Sequence, residues 1–272
     1  MGEAISDAQV VKVLRPFVRG CGPMLDALRE SDPLGLLARA RRRDEDSELD
    51  EVDPGLRDKL LNGLTSVKVP GTEAWAAMDA DERTRWWVNR VGRFTALLTS
   101  IPGLGGALAD RLPVQDTLGA AAQGLLLCAI SGEHGITEIG DRVRLIAWVL
   151  FERDIDPVLA AGKNAEHDAS AEDSRTDELT EELTGAEREH GRLTVKAAAR
   201  TLWRLGRSLL SIVDELEKRP RGRLVHRALG LLPVVGMAGD YLGERSGLKK
   251  VAKRAHAWID RESVPQGPGG TQ

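Results

Sequence analysis

Val114-Gln-Asp-Thr-Leu-Gly-Ala-Ala-Ala-Gln-Gly-Leu-Leu-Leu-Cys-Ala-Ile-Ser131 is the stretch whose reading decides the fold. Val114, Leu118, Ala121, Leu125 and Cys128 recur at steps of four and three, the spacing of one face of an α-helix. Leu126 and Ile130 make a second face apolar, and Gly119, Ala120, Ala121, Ala122 and Gly124 let neighbours approach closely. A helix that is apolar nearly all round belongs at the centre of a bundle. Pro113 suits a first helical position, and Gly132 to Gly135 closes the run. The apolar part, Leu118 to Ile130, is interrupted by Gln123 and falls short of the ~18 residues of a spanning helix. It predicts a buried core helix in preference to a membrane hairpin.

The flanks keep the same rhythm. Trp87, Val91, Phe94, Leu98 and Ile101 form one stripe, opened by Asp79 and Glu82 in capping-box spacing. Ile139, Val143, Ile146 and Leu150 form another, with Thr137 placed to cap it. Ala198, Leu202, Leu205, Leu209, Ile212 and Leu216 form a third. A short helix is expected from Pro54 to Leu64. The stretch from Ser6 to Leu37 looks helical but broken, because Pro16, Gly20, Gly22 and Pro23 punctuate it. Short helices are also expected from Leu224 to Leu232 and after Pro233, and a last one from Gly247 to Arg261. The fold class is therefore all-α: a multi-helix bundle around a central apolar helix. Composition agrees, with Trp 6, Phe 3 and Tyr 1 among 272 residues, too few aromatics to favour strands.

Composition shifts suggest five segments. Residues 1–66 are an N-terminal helical segment with a charged loop, and 67–161 a core helical domain. Residues 162–191 are an acidic linker, partly disordered; 192–262 are a C-terminal helical segment, and 263–272 a disordered tail. The formal net charge of -4 selects no partner by itself. The basic run Arg39 to Arg43 meets the acidic run Asp44 to Asp53, which predicts a self-neutralising loop, with a nucleic-acid or anionic-lipid patch as the alternative. Cys21 and Cys128 lie far apart in apolar context, without a CxxC spacing, and read as buried thiols of a reducing compartment. The N-terminus lacks the basic and apolar regions of a signal peptide. A cytoplasmic location, with membrane association open, follows.

Chemistry is hard to find. Pro102-Gly103-Leu104-Gly105-Gly106 lacks the third glycine, the preceding strand and the lysine of phosphate-cradling loops, and reads as a helix–helix turn. The five histidines show no metal-ligand spacing, and no nucleophile elbow occurs. No cofactor or metal is expected. Two residues stand out as possible functional groups. Asp116 sits in the first turn of the most apolar helix, and His134 lies beside Glu133 at its end. Each has a plain structural alternative, as a first-turn acid and as a surface imidazole. Pro102-x-x-Gly105 is echoed by Pro233-x-x-Gly236, either two related hairpins or coincidence.

The last helix carries the best functional hint. Lys249, Lys250, Lys253, Arg254 and Arg261 share it with Leu248, Val251, Trp258 and Ile259. The apolar face can pack on the core, or the helix can lie on an anionic membrane with Trp258 at headgroup level. It can also contact nucleic-acid phosphates, for which no helix-turn-helix or zinc signature speaks. Lys249, Lys250, Lys253, Arg254 and Trp258 are thus the candidate membrane or anion contacts.

Ile101-Pro102-Gly103-Leu104-Gly105-Gly106, then Leu112-Pro113-Val114-Gln115-Asp116, then Gln123 and the apolar run to Gly135 resemble the EcsC-like family of bacterial helical proteins. Pro233 to Ile259 is similar to that family's C-terminal Pro-x-x-Gly and amphipathic helix. The resemblance implies an interaction role near a membrane and no activity. The leading expectation is a non-enzymatic interaction or scaffold protein with a protein partner, peripherally membrane-associated in one version through the basic amphipathic helix. The alternatives are an enzyme with a site near Asp116 or His134, and an assembly protein that docks through its tail, residues 264–272.

Overall fold

The chain folds, in a computed structural model, from helices that surround one of their own number. The structure describes residues 5–30, 32, 53–64, 68–101, 114–190, 193–217 and 241–263. The helices are α1 (Asp7–Arg29), α2 (Pro54–Leu64), α3 (Glu73–Ala76), α4 (Ala80–Thr99), α5 (Val114–Glu133), α6 (Ile139–Phe151), α7 (Pro157–Ala160), α8 (Ala169–His190), α9 (Val195–Glu217) and α10 (Tyr241–Ser263). No strand occurs among the described residues.

Helix α5 is the axis, packed by α1, α4, α6, α9 and α10. It is covered on every side: Ala120, Ala121, Ala122, Leu125, Leu126, Leu127 and Ile130 are all buried. Small residues set the spacing around this axis. A Cβ on Gly124 would meet the Phe17 ring of α1 and Leu209 of α9, and one on Gly206 of α9 would fall on the Thr117 backbone of α5. The three helices therefore approach so closely at these points that only glycine fits.

Several expectations hold. Asp79 and Glu82 form a complete capping box at α4, and α2 starts at Pro54. Others need correction. Asp7–Arg29 is one continuous helix despite Pro16 and Pro23, because Leu14, Phe17, Val18, Met24 and Leu25 are buried along it and offset the lost hydrogen bonds; positions 33–37 of the expected stretch lie outside the described residues. Glu138, not Thr137, stands at the α6 cap, and it makes no side-chain cap bond.

The largest correction concerns 162–191. Most of this expected linker is α8, packed on α1 and α9. Leu179, Leu183 and Ala186 bury one face, and Glu172 docks the other end. Arg15 of α1 grips Glu172 with Nε at 2.5 Å and Nη2 at 3.2 Å, and gives Nη1 to the Ala160 carbonyl at 2.8 Å. Arg19 adds bonds to Glu172 and Asp173. A bidentate, buried carboxylate is what turns this acidic sequence into a docked helix. The part after 162–191 packs back on the core helix as expected, since α9 and α10 lie directly on α5 and share one buried cluster with it. The Pro/Gly turn at 102–106, the charged run at 39–52, the Leu224 to Gly236 segment with its echo, and the tail 264–272 lie outside the described residues.

Candidate functional site

The functional hint of the sequence lies on α10, so its two faces decide what the site is. Leu248, Val251, Ala255, Trp258 and Ile259 are buried against α4, α5 and α6. Trp258 is 2% exposed with the Arg144 guanidinium over its ring, so it does not stand at a headgroup level. Arg254 is also spent internally. It pairs with Glu152 at 3.3 Å, donates to the Trp148 carbonyl and covers the Trp148 ring. Lys249, Lys250 and Lys253 remain exposed, with no hydrogen bond or ion pair among the described residues. Of the five expected contacts, three thus form an accessible cationic row and two belong to the packing.

Helices α4 and α10 run antiparallel here. Gly92 lets Leu248 come close at one end, and Thr84 Oγ1 meets His256 Nε2 at 3.0 Å at the other. Between these points lies a groove of about 510 Å³. Val88 and Ala252 form its floor, and Asp81, Arg85, Asn89, Lys249 and Lys253 surround it. Arg85, like the two lysines, is exposed and makes no ion pair among the described residues. Among the described residues three cations thus face one acid, Asp81. The Asn89 Oδ1 is buried and lacks a hydrogen-bond partner among the described residues.

His134 adjoins this end of the groove. Its ring stands edge-on to His256, with centroids 5.1 Å apart. Burial and the neighbouring His256 push its pKa below the usual value, and its Nε2 is buried without a partner among the described residues. Glu133 accepts from Trp87 Nε1 at 3.1 Å and faces Arg83 at 3.8 Å. Asp116 is elsewhere. It occupies the first turn of α5, roughly 27 Å from His134 at the rise of an α-helix, and is engaged within the fold. The two possible functional residues therefore do not share a site. No group of metal-ligating side chains forms among the described residues.

A second cavity, of about 540 Å³, lies between α1, α8 and α9. Its Lys12, Arg15 and Arg175 are matched by Glu166, Asp168 and Glu172, so it carries no net sign. The sequence missed Arg85, Asn89 and Thr84. Their signal was a polar stripe at steps of three and four along α4, but nothing in the sequence says that α10 lies alongside it.

No helix among the described residues is long and apolar enough to cross a membrane. No family model matches the chain, and neither a curated protein nor a solved structure matches it.

Proposed function

We propose that the protein is a non-enzymatic binding protein that meets an anionic membrane surface through the polar face of α10. One observation carries this reading: Lys249, Lys250 and Lys253 are exposed and unpaired among the described residues, while Arg254 on the same helix is paired. Unpaired cations in a row add attraction to anionic lipid without first losing an internal partner. The resemblance to EcsC-like proteins points the same way. The apolar face of α10 takes no part, because it is already buried in the bundle.

The test is flotation with vesicles of phosphatidylcholine containing phosphatidylglycerol, against phosphatidylcholine alone. The wild type floats with the anionic vesicles and is released by salt. Replacing Lys249, Lys250 and Lys253 by Glu abolishes flotation and leaves the helical circular dichroism unchanged. Equal flotation of both proteins, or of neither, overturns the reading.

A further inference from the structure

We propose that the groove between α4 and α10 is a site for a dianionic phosphomonoester, which would give the lysine row a preference among anionic ligands. The inference rests on the function proposed above and adds a specific pocket to it.

The groove has the size of a small-molecule site, at about 510 Å³. Its charge is one-sided. Lys249 and Lys253 stand one helical turn apart on one wall, and Arg85 stands on the other, against Asp81 alone among the described lining residues. A phosphomonoester carries a charge of about -1.5 to -2 at neutral pH, more than a diester's single charge. Arg85 supplies a planar fork suited to two phosphate oxygens, and the lysines supply point charges. The polar end is ready as well. Thr84 and His256 already bond each other there. Asn89 adds an amide side chain to the wall between Arg85 and the apolar floor. Val88 and the small Ala252 leave an apolar floor for the carbon part of the ligand.

The experiment compares vesicles containing phosphatidic acid with vesicles containing phosphatidylglycerol, matched in surface potential, and measures glycerol 3-phosphate binding by calorimetry. The wild type favours phosphatidic acid by about tenfold, the worth of one charge-assisted contact. Arg85→Gln removes this preference and keeps adhesion to phosphatidylglycerol. Ala252→Leu fills the floor, keeps every cation, and has the same effect. Because Arg85 is exposed, its variant keeps the test valid if Ala252→Leu fails to fold. Equal binding to the two lipids overturns the groove site and leaves the membrane reading standing. A preference that survives both variants also overturns the site. Binding of glycerol 3-phosphate without adhesion to either vesicle supports the site with a soluble ligand and overturns the membrane reading. Absence of all binding overturns both.

Discussion

Single residues decide more here than their frequency suggests. Glu172 is one acid in a segment full of them, yet it is 8% exposed and holds Arg15, Arg19 and, at 3.5 Å, His167. Removing its charge leaves the Arg15 guanidinium buried without its counter-charge, held only by neutral acceptors such as the Ala160 carbonyl. Glu172→Gln is therefore expected to cost about 3 kcal/mol of stability in urea unfolding, whereas the same change at exposed Glu178 costs under about 1 kcal/mol. Equal effects at the two positions would show that α8 is held by its apolar stripe alone. Arg90 acts likewise. It is 2% exposed, lies over the Trp86 ring, and donates to the carbonyls of Leu28, Glu30 and Leu64, which α1 and α2 leave open at their ends. Burial lowers its pKa to about 10. Neither role was legible in the sequence, because a buried charge is recognised only by its distant partner. Burial of the two cysteines was legible. Their meeting was not: the Cys21 thiol lies against Cys128, and burial raises its pKa well above the usual value, which keeps it protonated and unreactive.

Elements were legible where periodicity alone forms them. The stripes on α4, α5, α6 and α9 each gave a helix, since a repeated step of three and four has one geometric reading. Breaker residues misled at α1, where core burial outweighs Pro16 and Pro23. Composition misled over the first half of α8, where charge density outweighed the helical hint of Leu179 and Leu183, which are buried with Ala186. The glycines separate local preference from packing and so give an opposed pair of outcomes. Gly206→Ala puts a Cβ onto the Thr117 backbone and should destabilise by about 1–3 kcal/mol, despite the better helix propensity of alanine. Gly185→Ala on α8 meets nothing within 4 Å and should stabilise by about 0.5–1 kcal/mol. Urea midpoints of the two variants check both signs. Stabilisation by both would mean that propensity, not the α5–α9 crossing, governs these positions, and destabilisation by both would mean that Gly185 is packed after all.

At the scale of the molecule, the central place of α5 was legible because only a buried helix can be apolar on all sides. The groove was not, because it depends on which helix lies beside α4. The same junction sets a pH response. His134 follows the last residue of α5, His256 belongs to α10, and Thr84 ties His256 to α4, so three helices meet at two imidazoles. Burial first, and His256 next, lower the pKa of His134, while Asp260, Glu133 and Asp81 oppose them. The unfolded chain, with a histidine pKa of about 6.5, then binds the proton more readily than the folded one. The contribution of His134 is fully present above about pH 6.5 and is lost as pH falls through its lower folded value. Because the ring keeps solvent contact, the slope should amount to a fraction of one proton. Urea unfolding at a series of pH values between about 8 and 5 should show stability falling on the acid side of pH 6.5. His134→Asn should flatten that part of the curve, and Thr84→Val should leave its slope in place. A slope unchanged in His134→Asn would place the acid sensitivity on other groups.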